Sequence, residues 1–195
     1  MTATPSALVA KPMRADARRN HEKVLEAARA EFAAEGQDAQ MPDIARRAGV
    51  GVGTVYRHFP TKEALVEALV RDHFSRIADL AEEAVASDGE PWDRLMRLAN
   101  ICGAQCANDR GLAAAVAGSR EILGVIAEQE TRLRAATTRL LDEGRAAGQV
   151  RADATVEDVS MLMCSLAYIA DMENTRPDFT WRRYLEVAFD GMRAR

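Results

Sequence analysis

The run QMPDIARRAGVGVGTVYRHFPTKEAL, from Gln40 to Leu65, leaves the backbone few choices. Pro42 suits the first turn of a helix, where its missing N–H has no partner to lose. Ile44, Ala45 and Ala48 then give a small apolar face at helical spacing. Gly49 stands where the chain must leave that helix with positive φ, a conformation glycine adopts without steric cost. Val50 can plug the space between two helices, and Gly51-Val52-Gly53-Thr54 begins the next one. Val55 and Phe59, four apart, face inward, which leaves Thr54, Arg57 and His58 facing out. Tyr56 can pack its ring or offer its hydroxyl to a phosphate. Pro60-Thr61 breaks the helix, Thr61 caps a third one, and Lys62 falls in its first turn. Two short helices at a glycine turn, followed by a long helix, are the layout of a helix-turn-helix. The small residues opening the second helix let its backbone approach a phosphate chain, and a helix N-terminus favours an anion.

Charge and composition fit such a head attached to something larger. Residues 1–60 hold 9 Lys+Arg against 7 Asp+Glu, a net of +2; residues 61–195 hold 17 against 23, a net of −6. With 48% hydrophobic but only 5% aromatic residues, the core is built mainly from Ala, Leu and Val. Three cysteines without a CxxC argue against a disulfide framework and for a reducing cytoplasm. His21, His58 and His73 lack metal-ligand spacing with one another or with the cysteines, so neither a metal nor another cofactor is expected. No basic start followed by a long apolar run marks a secretory signal, and no window suggests a membrane span.

Helical periodicity runs through the rest of the chain. The first dozen residues read as a disordered leader; Arg14, Arg18 and Arg19 are either a solvated basic end or an arm for phosphate or minor groove. A first helix carries Leu25, Ala28 and Phe32 and ends at Gly36. A long helix from Lys62 to about Ala86 sets Val66, Val70, Phe74 and Ile77 along one side. After a break at Ser87–Glu90, Pro91 opens a helix with Trp92, Leu95, Ala99, Cys102 and Cys106 at helical spacing. A second break at Asn108–Gly111 precedes a short Ala-rich helix to Ala117, and Ser119 can cap a long helix to about Ala147, with Ile122, Ile126, Leu133 and Leu140 inward. Thr155 and Asp158 form a capping box for the next helix, which carries Val159 and Leu162. A loop from Asp171 to Asp178 follows, and Thr180 caps a final helix. The expected fold is therefore all-α: a disordered leader over 1–14, a helix-turn-helix head over 15–61, and a helical effector and dimerisation domain over 62–195.

The run IARRAGVGVGTVYRHFPTKEAL resembles the DNA-binding signature of the TetR family of bacterial transcriptional regulators, and the upstream RRNHEKVLEAARAEFAAEG is similar to the family's first helix. Glycine turn, small-residue helix start, Tyr-x-His-Phe and the following Lys fall in order. Gln40 stands where the family usually opens its second helix with Thr or Ser, and Met41-Pro42 and Gly51 replace residues that are often basic, hydroxylic or larger and polar. The resemblance implies that Val52, Gly53, Thr54, Tyr56, Arg57, His58 and Lys62 meet double-stranded operator DNA. Tyr56 and Lys62 would hold phosphates, and Val52 would touch a thymine methyl.

A single short helix reads too few base pairs to find one genomic site, so helix-turn-helix proteins pair about a two-fold axis. The resemblance places the homodimer interface on the last two helices, where Leu162, Met163, Leu166, Leu185, Ala188, Phe189 and Met192 are its candidates; the alternative is that they pack only on their own domain. Trp92, Met96, Cys102, Cys106, Met161, Cys164 and Tyr168 offer a soft surface for an apolar or aromatic small-molecule effector, or else simple core filling. The implied function is a DNA-binding regulator, a repressor released from a palindromic operator by its effector. A regulator without a ligand is the alternative, and a small helical enzyme finds no supporting motif, since the chain has no nucleophile elbow, no phosphate-binding glycine loop and no HExxH.

Overall fold

A computed structural model of the chain describes residues 10–108, 124–172, 176, 178 and 180–195. Among them lie eight α-helices: α1 (Ala10–Glu35), α2 (Met41–Ala48), α3 (Val52–His58), α4 (Lys62–Ala86), α5 (Pro91–Asn108), α6 (Ala127–Ala146), α7 (Val156–Met172) and α8 (Trp181–Asp190), with a 3-10 turn at Gly36–Asp38. The Ala-rich helix to Ala117, Ser119 and Ile122 lie outside the described residues. Helix α1 begins at Ala10 and so takes in residues 10–14, which the sequence assigned to a disordered leader.

The local signals end the helices where physics asks for it. Gly49 takes φ +67°; its N–H donates to the Arg46 carbonyl, and the Val50 N–H reaches back to that of Ala45 at 3.1 Å. Two orphan carbonyls are thereby satisfied and the chain turns sharply into α3. Thr61 Oγ1 accepts from the Ala64 N–H at 3.1 Å, and Thr180 does the same for Arg183. In the capping box, Asp158 accepts from the Thr155 N–H at 2.8 Å while Thr155 Oγ1 accepts from that of Asp158 at 3.2 Å. Gln40 caps nothing; its amide bonds the Asp38 carbonyl instead.

Two apolar cores meet along α4. The first gathers Val24, Ala28 and Phe32 of α1, Ile44 of α2, Val55 of α3 and Leu65, Leu69 and Val70 of α4. The second begins at Ile77 and Ala81 and takes in Trp92, Leu95, Leu140, Leu166, Leu185 and Phe189. The buried stripe of α4 runs through Leu65, Leu69, His73 and Ile77, with the expected Val66 and Phe74 only partly buried at its edge. Ile126, just ahead of α6, is buried in the first core and not the second. Further along, Arg132 of α6 bonds Glu82 at 2.7 and 2.8 Å and Asp79 at 2.6 Å. Helices α4 and α6 therefore run side by side in the same direction.

Three close fits hold the second core. Buried Arg94 donates to the Val85 carbonyl at 3.0 Å and pairs with Glu143, so it closes the end of α4 and joins it to α5 and α6. Gly103 lets α5 approach α8, because a Cβ there would lie 2.5 Å from the Trp181 ring. The segment after α8 returns to the α6–α7 turn, where Arg151 N–H donates to the Met192 carbonyl at 2.9 Å and Ala194 N–H to that of Gln149 at 3.0 Å. No helix of the described residues is long and apolar enough to cross a membrane.

Candidate nucleic-acid interface

Helix α3 is anchored by a single fully buried side chain, Val55, with Phe59 buried just beyond its end. That anchoring turns the opposite face to solvent. Val52 and Tyr56 are 40% and 45% exposed despite their apolar bulk, and Gly51, Gly53 and Arg57 are exposed beside them. No Cβ-sized obstacle lies near Gly53. The result is a short ridge with a flat glycine approach at its start and an aromatic hydroxyl and a guanidinium further on. Thr54 is half-buried on its flank.

Two of the expected contact residues are tied inward. His58 is half-buried, its ring 5.7 Å from that of His21 on α1 in an edge-to-face arrangement, while His21 also lies 4.9 Å from Phe59. Burial, reinforced by His58, holds the His21 pKa below its ordinary 6.5, against the opposing pull of Glu22 and Asp72. Lys62 donates to the Gln37 carbonyl and sits 5.6 Å over the Phe32 ring. Its ammonium thus staples α4 to the end of α1, besides lying near the head's surface. Arg46 and Arg47, which the sequence reading did not single out, are both exposed on α2 beside the glycine turn. Arg47 reaches Glu31 of α1 at 2.8 Å, whereas Arg46 meets only Asp43 of its own helix, at 2.7 Å.

The seven residues expected to line an effector pocket are not brought together. Trp92 and Cys102 are buried in the second core, with Met96 and Cys106 half-buried on the same helix. Met161 and Tyr168 are instead 74% and 70% exposed, and Cys164 between them is exposed too. Helix α7 is apolar on both faces, and these three belong to the outer one. Burial, with Cys106 adding to it, pushes the Cys102 thiol up to about 12, far from a reactive thiolate. A polar pocket of about 260 Å³ lies elsewhere, between Glu90, Trp92, Asp93, Gln149 and Arg193. On α4 and α6 the polar residues His73, Gln129 and Thr137 are buried; the sequence reading weighed His73 only as a metal ligand and did not single out the other two. The Gln129 side-chain oxygen has no hydrogen-bond partner among the described residues.

The expected dimer residues divide between the core and its edge. Leu166, Leu185 and Phe189 are each 1% exposed and, with Met192, belong to the protomer's own core. Leu162 and Met163 are half-buried against it, and Ala188 is half-buried. Leu166, Leu185 and Phe189 thus serve to hold α7 and α8 to the second core, and Leu162, Met163 and Ala188 keep part of their surface open. The apolar side chains that these two helices leave in solvent are Met161, Tyr168 and Val187, the last 56% exposed.

Comparison with known proteins gives consistent likenesses. Residues 24–69 match the family described as bacterial regulatory proteins, tetR family, and residues 90–194 match the transcriptional regulator SbtR-like C-terminal domain. A crystal structure of a TetR transcription regulatory protein from Mycobacterium vanbaalenii is 39% identical, covering 94% of this chain and 100% of that one at a TM-score of 0.71. The transcriptional regulator FadR from Bacillus subtilis, solved in complex with stearoyl-CoA, shares the fold at 20% identity and a TM-score of 0.68, covering 88% of this chain and 99% of its own. Among curated proteins, the HTH-type transcriptional repressor KstR of Mycolicibacterium smegmatis is 37% identical over 79 residues, 40% of this chain. That match spans only 39% of the repressor's own length.

Proposed function

This chain belongs to the TetR family of bacterial regulatory proteins, and from that membership we propose that it is a sequence-specific DNA-binding repressor acting in the cytoplasm, with no catalytic step of its own. The observation that carries the reading is the outward face of α3, where Val52, Tyr56 and Arg57 stand in solvent with no packing role to explain them. Residues 15–61 act as the reading head, with α1 continuing upstream of it, and residues 62–195 as the effector and pairing unit. Tyr56 holds a phosphate, Gly53 allows close backbone approach, and Val52 and Thr54 meet base edges. Arg57 serves readout or phosphate, and His58 and Lys62 contribute from the edge of the ridge.

Two heads read a palindromic operator only when paired at half-site spacing. Met161, Cys164 and Tyr168 on α7, with Val187 on α8, form the pairing face, while the buried leucines behind them keep it flat. The effector is an apolar small molecule received among the helices of the second unit, and a hydrogen-bond donor on it would meet the unpartnered oxygen of Gln129. FadR of B. subtilis with its stearoyl-CoA supports a fold of this kind holding an amphipathic ligand. Binding there releases the operator if it favours the conformer whose two heads no longer match the half-sites.

Selection of genomic fragments by the purified protein tests the reading, with the Tyr56→Ala/Arg57→Ala double variant as control. An inverted repeat recovered by the wild type and not by the variant is the expected result; equal recovery by both would refute it. On that repeat, Arg57→Ala then separates two roles. Uniform weakening with a shallower salt dependence means phosphate, and relaxed preference at one base pair means readout.

A further inference from the structure

Both histidines at the junction of α1 and α3 are half-buried, and their rings meet edge to face beside Phe59. This contact is the aromatic part of what seats the recognition helix on α1, because α3 is only seven residues long and has one buried side chain. Neutral imidazoles suit it. Two imidazolium rings 5.7 Å apart would repel in a site with little water between them.

The surrounding charges cannot absorb that repulsion. From α4 the nearby carboxylate is Asp72, which already faces two guanidiniums, Arg29 of α1 and Arg76 of its own helix at 3.3 Å. From α1 itself there is Glu22, which also lies 3.7 Å from Arg18. From α3 the facing group is His58. The carboxylates that would draw a proton to His21 are one shared between two guanidiniums and one exposed glutamate, too weak a pull to offset burial and the facing imidazole, so His21 takes up a proton less readily than a free imidazole.

We propose that His21 is a positioning residue for the recognition helix and that its protonation, against the His58 ring it packs on, unseats α3 and weakens operator binding, which makes this regulator respond to acidity. The inference rests on the DNA-binding reading above. Its direction follows from linkage. His21 binds its proton less tightly folded than at its ordinary 6.5, so the unfolded head takes up protons first. The stabilisation is full above that ordinary value and is lost as the pH falls through it towards the lowered one.

Operator binding by the full-length protein, measured on the duplex recovered from genomic selection between about pH 7.5 and about pH 5.5, should fall about five- to tenfold for the wild type. His21→Phe keeps a ring against Phe59 and removes the titrating group; it should bind like wild type at the higher pH and lose most of the decline. Binding by the wild type that stays level or tightens on acidification, or an identical decline in His21→Phe, would overturn the proposal. Thermal unfolding supplies a readout that needs no DNA: the melting temperature of the wild type should drop more steeply with acidity than that of His21→Phe. Equal slopes would overturn the proposal even if no duplex is found. Absence of wild-type binding at the higher pH would instead count against the regulator reading, leaving unfolding to decide the histidine pair.

Discussion

Individual side chains in this protein carry very different information depending on how local their job is. Gly49, Thr61, Thr155 and Thr180 could be assigned from the sequence because each acts within one turn, and the structure gives each that role. The cysteines could not be told apart, since Cys102 and Cys164 both stand in apolar helical patterns and only the packing of α5 and α7 separates them. That separation has a chemical consequence. Cys164 is exposed, whereas Cys102 is buried with its thiol pushed up to about 12. At neutral pH an alkylating reagent should modify Cys164 in minutes in a monomeric sample and leave Cys102 untouched until the chain unfolds. Peptide mass analysis of a timed reaction checks this, and early modification of Cys102 would show that α5 opens far more readily than its burial implies. Protection of Cys164 at high protein concentration would place it at the pairing face.

At the level of helices, the order of the described elements and the capped starts at Thr61, Thr155 and Thr180 were legible, and the faces of the terminal pair were not. Helix α7 shows why. Val159, Leu162, Met163 and Leu166 make one apolar stripe, and Met161, Cys164 and Tyr168 make another on the far side. A period of 3.6 finds both stripes, and only α5 and α8, distant in sequence, decide which is inside. Hence Leu166, expected at a surface, is buried, while Met161 and Tyr168, expected around a pocket, stand in solvent. Helix α6 conveyed a different surprise, since Ile126 had an inward face in the sequence but no destination; its destination is the core of the reading head. Ile126→Ala should cost about 2–4 kcal/mol of head stability, as other large-to-small changes in packed cores do. It should also split unfolding into two transitions, with the head melting first. Denaturant titration followed by far-ultraviolet circular dichroism checks this. A single unshifted transition would mean that the contact couples nothing.

Over the whole molecule, the reading head was recognisable from a run of about two dozen residues because its contacts are short-range, whereas the second unit needed the structure. The difference reaches into assembly. Met161, Tyr168 and Val187 stand in solvent among the described residues, apolar surface of the kind a second copy covers. Met161→Glu with Tyr168→Glu should convert a dimer into monomers in sedimentation velocity and leave helical content unchanged. Operator affinity should then fall by at least about a hundredfold, as two linked half-sites are replaced by one. A variant that stays dimeric would move the pairing face elsewhere. Net charge acts on the same scale, because the positive head and the negative remainder of the chain steer opposite ends of the molecule differently towards DNA.

The return of the last residues to the α6–α7 turn bears on how the protein can be handled. Arg193 lies in a backbone bridge with Val150 and its guanidinium stacks 4.6 Å over the Trp92 ring, so this segment is a clasp on the α6–α7 turn. A reporter or affinity handle fused directly after Arg195 would begin two residues from that clasp and pull on the turn between α6 and α7. In a biosensor built on this scaffold, a linker of several flexible residues at that junction would separate the reporter's motion from the switch it is meant to report.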